Sequence, residues 1–200
     1  MKSRHCAVFI TAILVITVLL SGCACIARKI FNLEHTGIAS YKTDREKTAD
    51  GRASEFLPDF NDLSDYCNIE YTYRENIILI FSYECLGLFV TYGDNYEENR
   101  NKALCSYDFL KETQYADFDD NSITLPAVSF SHKGYVYNLV PMDYGDMACK
   151  CFGMIVYNDE EQKICYLLVY NQDLDCLGKT EEEAVEELIH YLEDFFLWPK

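Results

Sequence analysis

Three cysteines give this sequence its first suggestion of chemistry. Cys149 and Cys151 stand two residues apart in a segment that predicts a β-strand, so their side chains share one face. A second predicted strand follows the polar connection at 158–162, and a five-residue loop places Ile155 opposite Cys165, with all three thiols on that face. Three such thiols could bind a soft metal or form a redox pair. Their spacing is not that of common zinc sites, however, and free cysteines also act as small buried apolar residues.

A cluster of carboxylates offers a second possible site. Asp117, Asp119 and Asp120 bring oxygen ligands close together, as a hard cation such as calcium prefers. The segment lacks the glycine and the distal glutamate of the EF-hand loop, which favours a solvated loop. We therefore predict neither a metal site nor a cofactor, and we keep both clusters as alternatives.

Sequence motifs for catalysis are absent. The chain contains no Gly-x-Ser-x-Gly, no His-Glu-x-x-His, no phosphate-binding loop and no Gly-x-Gly-x-x-Gly. His132, beside Ser131, is the one histidine within a loop of the predicted domain, and its neighbours are typical of a turn rather than of a catalytic base. We predict that the protein is not an enzyme.

The N-terminal segment carries a targeting signal. Lys2 and Arg4 precede an apolar run over 6–20, and the run ends in Leu20-Ser21-Gly22-Cys23. This tetrapeptide resembles the lipobox of bacterial lipoprotein precursors. The resemblance implies that residues 1–22 are removed as a signal peptide. It also implies that Cys23 carries a diacylglyceryl thioether and becomes the N-terminus of a protein held on the outer face of the cell membrane by lipid.

An uncleaved membrane helix is the alternative interpretation of this segment. Residues 6–27 are apolar or small over a length that could span a bilayer, and Arg28 and Lys29 then end the run. Two basic residues lie on each side of the run, so the positive-inside rule gives little indication of how such a helix would be oriented in the membrane. This alternative makes the chain a single-pass membrane protein with the same domain outside the membrane.

Charge narrows the range of partners. The 200 residues contain 17 Lys and Arg against 33 Asp and Glu, a formal net charge of −16. Such an excess of acid opposes binding to nucleic acid, since affinity for phosphate backbones comes mostly from basic side chains. We expect membrane lipid as a partner through Cys23, and an envelope protein or peptide as the partner of the domain.

Two regions are expected to follow the signal. Residues 23–60 are polar, mix both charges and show no sustained apolar period, which predicts a solvated tether. Residues 61–200 predict a single α+β domain with a mostly antiparallel sheet and two packed helices, at about 95–110 and 180–197. The second helix has the better signals, because Thr180 and Glu183 match a capping box.

Alternating and continuous apolar segments predict the strands. Residues 69–74 alternate, residues 77–92 predict two strands joined near Gly87, and residues 123–140 predict strands around a turn at 132–134. The clearest hairpin spans 148–170, and apolar residues on both faces of its arms suggest an interior pair.

Tyrosine is the last candidate for function. Nine tyrosines fall on predicted strands, and rows of Tyr can bind peptides or glycans, although Tyr is also common at sheet edges. They are Tyr71, Tyr73, Tyr83, Tyr92, Tyr135, Tyr137, Tyr157, Tyr166 and Tyr170.

The segment from Tyr92 to Asn99 and the acidic last helix resemble acidic surface lipoproteins of Gram-positive bacteria. The leading hypothesis is a lipid-anchored, extracytoplasmic binding module. A thiol protein that uses Cys149, Cys151 and Cys165 is the alternative.

Overall fold

Antiparallel strand pairing organises the chain. The computed structural model describes residues 32–78, 81–107, 113–116, 122–125, 128–140, 142, 151–171 and 180–199. The strands are β1 (Asn32–His35), β2 (Tyr66–Ile78), β3 (Phe81–Tyr92), β4 (Thr113–Ala116), β5 (Ser122–Leu125), β6 (Ser129–His132), β7 (Tyr135–Val140), β8 (Cys151–Asn158) and β9 (Lys163–Asn171). The helices are α1 (Tyr41–Lys47), α2 (Ala53–Phe56), α3 (Tyr96–Cys105) and α4 (Glu181–Asp194). Short 3-10 turns lie at Ile38–Ser40, Thr48–Gly51 and Phe60–Asp62.

Seven strands form one sheet in the order β1-β2-β3-β9-β8-β7-β6, and β4 pairs with β5 in a separate ribbon. Every pairing in both sheets is antiparallel. The α+β class and the antiparallel sheet are therefore confirmed.

The two faces of the large sheet bury different residues. The α4 face holds Cys165, Leu167 and Val169 of β9 and is covered by α4. The N-terminal face holds the alternate residues of β9, among them Tyr166 and Leu168, and is covered by α1, α2 and α3. Because the middle strands β3, β9 and β8 are covered on both faces, they contain nearly continuous apolar sequence. The predicted interior position of the β8–β9 hairpin is confirmed.

Gly87 has a different role from the predicted one. It lies in the middle of β3, opposite Thr72 of β2 and Leu167 of β9, so the expected bend there is wrong. A Cβ atom at Gly87 would lie 2.7 Å from the ring of Phe89, the next residue on the same face. Glycine is needed here because the aromatic ring occupies the space of a side chain, not because the chain turns.

The predicted tether is wrong for its described part, residues 32–60. β1 pairs with β2, and Tyr41, Phe56 and Leu57 are at most 3% exposed against the N-terminal face. The helices that carry Tyr41 and Phe56 have only seven and four residues. Helices this short cannot establish a repeating apolar pattern, so the sequence gives little sign of them.

The last helix agrees closely with its sequence signals. The Thr180 hydroxyl accepts a hydrogen bond from the Glu183 backbone N–H at 3.2 Å, which is one half of the predicted capping box. The helix ends at Asp194 rather than at 197, and Phe196 still packs on the α4 face. The other predicted helix, α3, is shorter than expected, since it ends at Cys105 instead of 110.

Candidate functional site

The structure separates two of the thiols that the sequence groups together. The β8–β9 loop has four residues between Asn158 and Lys163, so Val156, not Ile155, lies opposite Cys165. A shift of one residue moves a side chain to the other face of the sheet. Cys165 lies on the α4 face and Cys151 on the N-terminal face. The prediction of a shared thiol face is wrong for this pair, and Cys149 lies outside the described residues.

Burial also makes two thiols poor nucleophiles. Cys85 and Cys165 are at most 2% exposed, and this burial raises the pKa of both thiols far above its usual value. Reactive cysteines need the thiolate form, which burial in apolar surroundings disfavours. These residues act as small core side chains and give the thiol-redox hypothesis no support.

The acidic cluster cannot be placed, because Asp117, Asp119 and Asp120 lie outside the described residues, between β4 and β5. Among the residues that the structure does describe, no group of three His, Cys, Asp or Glu side chains is arranged to hold a metal ion. Both the solvated loop and its calcium alternative stay predictions.

An aromatic cleft lies beside the only tryptophan of the chain. The Trp198 indole Nε1 donates a hydrogen bond to the Leu192 carbonyl oxygen at 2.9 Å, which fixes the ring after the end of α4. The ring centroids of Trp198 and Tyr135 are 5.8 Å apart. The cleft has a volume of about 320 Å³ and is lined by His132, Lys133, Tyr135, Tyr137, Leu192, Glu193 and Trp198. We call it the Trp198 cleft.

The β6–β7 turn supplies one wall of this cleft. Lys133 and Gly134 both have positive φ, of 50° and 82°, as a two-residue hairpin turn requires. The turn directs the Lys133 ammonium to the Glu193 carboxylate of α4, at 2.8 Å. His132, the last residue of β6, has its Nε2 3.2 Å from the same oxygen. His132 therefore belongs to β6 and precedes the turn, rather than lying within it as predicted, and it contacts α4.

The polar groups of the Trp198 cleft largely interact with one another. The hydrogen bond from Lys133 holds the pKa of Glu193 below its usual value. The Tyr135 hydroxyl donates to Glu161 at 2.8 Å, and its pKa is raised by burial and by this bond. Groups paired in this way are not placed to exchange protons with a ligand, whereas the faces of Tyr135 and Trp198 can stack on one.

Sequence reasoning does not identify this cleft. Trp198 follows Phe195 and Phe196 at the end of a helical pattern. A further apolar residue at this place is expected to pack in the core, so the sequence does not indicate a cleft. The usable signal is that a lone Trp stands beside Pro199 after the last helical turn, since Trp is seldom fully buried and often borders water.

The nine strand tyrosines do lie on strands, but most of them are core residues. Seven are less than 9% exposed, and only Tyr135 and Tyr157 are partly exposed. Tyr135 and Tyr137 line the Trp198 cleft. The strand tyrosines therefore do not form a wide binding face, and the candidate binding surface is limited to the small area of the Trp198 cleft.

A buried carboxylate connects the N-terminal helices to the sheet. Asp44 of α1 is 6% exposed, and its Oδ2 accepts a hydrogen bond from the Tyr71 hydroxyl at 2.7 Å. The same oxygen lies 2.7 Å from Nδ1 of His35, whose ring stacks on Tyr73. A carboxylate–histidine pair can serve as a base. Here Asp44 lies on α1 and His35 on β1, so the pair holds the helix against the sheet. We assign Asp44 a structural role.

Glu84 is a half-buried acid on the N-terminal face. It accepts a hydrogen bond from the Ala49 backbone N–H at 3.3 Å, in the turn between α1 and α2. Burial, assisted by the nearby charge of Glu75, raises its pKa to about 7. Ala49 and Asp50 have positive φ, so the turn that Glu84 supports is itself strained.

A scan of protein-family models and searches of curated proteins and of solved structures find no match to this chain. None of the described helices is long and apolar enough to cross a membrane.

Proposed function

We propose that the protein is a lipid-anchored binding module on the extracytoplasmic face of the cell membrane, and that the Trp198 cleft is its ligand site. The observation that carries the binding role is the pairing of two partly exposed aromatic faces, those of Tyr135 and Trp198, around a cavity of about 320 Å³. Sites of this kind hold a planar or apolar group by stacking.

A non-catalytic role fits the same cleft. Its lysine is paired with Glu193 and its Tyr135 hydroxyl with Glu161, so the cleft offers contact area more readily than an acid or a base. The ligand that suits this arrangement is an exposed aromatic or sugar ring of an envelope protein, peptide or glycan.

The lipid anchor is supported only by the resemblance of Leu20-Ser21-Gly22-Cys23 to a lipobox. Intact-mass measurement after detergent extraction tests it. We expect loss of residues 1–22 and a lipid increment on Cys23. An unmodified Cys23 in a chain that retains Met1 would favour the single-pass alternative.

Site-specific photo-crosslinking in isolated envelopes tests the binding role. A benzophenone side chain replaces Tyr135 inside the cleft, and a matched control carries it at Lys42, which is 77% exposed on α1. We expect a discrete crosslinked product from position 135 only. The same products from both positions, or none from position 135, would contradict the proposal.

A further inference from the structure

One edge of the large sheet is only partly covered. β2 extends from Tyr66 to Ile78, but β1 pairs only with its residues 73–76. Among the described residues, no strand lies against the outer side of 66–72. An uncovered strand edge presents backbone N–H and C=O groups that can pair with another chain.

A groove follows this uncovered edge. After His35 the chain leaves the sheet, and the C-terminal residues 197–199 pass nearby, which leaves a cavity of about 600 Å³ between them. Its lining includes four consecutive β2 residues, Ile69 to Thr72, together with Ile38 and Trp198. We call this cavity the edge groove. Tyr71 and Thr72 are at most 5% exposed, so the half-buried residues Ile69 and Glu70 form the accessible part of the β2 edge in this groove.

One exposed apolar side chain lies in this groove. The large hydrophobic residues that are exposed in the described part of the chain are Leu33, Ile38 and Tyr66. Ile38 lines the edge groove, whereas Leu33 lies opposite Glu75 and Tyr66 begins β2, so these two lie near opposite ends of β2 and outside the lining. The edge groove therefore offers an apolar contact at Ile38 rather than a wide apolar patch.

The charge of the edge groove selects the kind of partner. Glu34 and Glu70 line it, and its described lining contains no lysine or arginine. The nearby Arg74 is engaged by Glu34 and by the carbonyl oxygens of Asp194 and Phe195. A second copy of the chain would bring its own acidic edge against this one, and its net charge of −16 opposes that approach.

We propose that the edge groove receives an extended, cationic peptide that adds to the accessible part of β2 as a further strand, along residues 66–70. Backbone pairing with β2 supplies the affinity, apolar side chains of the peptide contact Ile38 and Ile69, and a basic side chain meets Glu70, since Glu34 is already paired with Arg74. The edge groove is a different cavity from the Trp198 cleft, although Trp198 lines both. This interaction therefore goes beyond the proposed function and does not depend on it.

The probe for this interaction is an octapeptide amide of alternating valine and lysine, added to the full chain in detergent micelles. Hydrogen exchange resolved by residue measures the protection of the amides of 66–70. We expect the peptide to slow exchange of the outward-facing amides at least tenfold. Two versions of the peptide are N-methylated on alternate residues, so that each version lacks the N–H donors along one of its two edges. We expect the version that lacks the donors facing β2 to abolish the protection.

Charge reversal supplies the matched comparison. Glu70→Lys should raise the Kd of the peptide about tenfold, since it replaces an attraction with a repulsion. Glu160→Lys, at the exposed tip of the β8–β9 hairpin, makes the same change in net charge away from the groove and should change Kd less than about twofold.

Four results would overturn the proposal: no protection at millimolar peptide, protection that survives both N-methylated versions, equal effects of the two charge reversals, or protection of 66–70 by self-association without peptide. The last result would assign the edge to a second copy. None of these results bears on crosslinking from Tyr135, so the two proposals can fail separately.

Discussion

Replacing Glu84 by glutamine should stabilise the protein at neutral pH and leave it nearly unchanged at pH 4.5. Glutamine keeps an oxygen that can accept the Ala49 N–H bond, and it removes the carboxyl group that burial holds in its protonated form. Because Glu84 has a raised pKa in the folded protein, its contribution to stability is fully present below pH 4.5. That contribution is lost as pH rises towards 7.

The magnitude follows from the two pKa values. Between the ordinary value of 4.5 and the folded value of about 7, the unfolded chain releases a proton that the folded protein retains. Stability therefore falls by about 1.4 kcal/mol per pH unit, and the total is about 3 kcal/mol. Glu84→Gln removes this loss, so its advantage should rise from about 0 at pH 4.5 to about 3 kcal/mol at pH 8.

Urea unfolding of the two proteins at pH 4.5, 6, 7 and 8 measures this difference. Glu182→Gln is the matched control, because it removes one negative charge from an exposed position in the first turn of α4. Its effect should stay within about 0.5 kcal/mol at every pH. A Glu84→Gln difference that does not change with pH would refute the assignment of Glu84 as a group that keeps its proton in the folded protein. A difference that falls with pH would show that the sign of the reasoning is wrong.

Two further substitutions and one labelling experiment test the packing. Asp44→Ala should lower the free energy of unfolding by about 3 kcal/mol in urea titrations, because it leaves the buried Tyr71 hydroxyl and the half-buried His35 ring without their acceptor. Gly153→Ala places a methyl group 2.7 Å from the Phe56 ring and should cost about 1–3 kcal/mol, a loss that Phe56→Leu should partly reverse in the double variant. In the native chain, thiol labelling followed by peptide mapping should find Cys67 and Cys105 modified quickly, while the buried thiols of β3 and β9 react only after unfolding.

Much of the sheet could be predicted from sequence because its strands have strong local patterns. The apolar arms of β8 and β9 indicate a hairpin covered on both faces, and the Thr180 cap marks the start of α4 within one residue. Pairing register was harder to predict. Loops of four and five residues are both common, yet that single residue decides whether Cys151 and Cys165 share a face.

The N-terminal helices were not predicted because their stability comes from distant partners. Asp44 appears in a mixed-charge run, and only its bonds to Tyr71 and His35 make it a buried residue. The Trp198 cleft was missed for a related reason. It combines the turn beside Lys133 with the end of α4, which are far apart in sequence and meet only in the fold.

The position of β1 limits how far the domain could extend from a lipid anchor. β1 begins at Asn32, so eight residues lie between a lipidated Cys23 and the edge of the sheet. Fully extended, this connection reaches about 30 Å, comparable to the thickness of a bilayer core. A domain on so short a connection would sample a thin shell of space next to the membrane. Its partners would have to be present there, at the base of the envelope, and its acidic surface would experience the potential of the lipid headgroups.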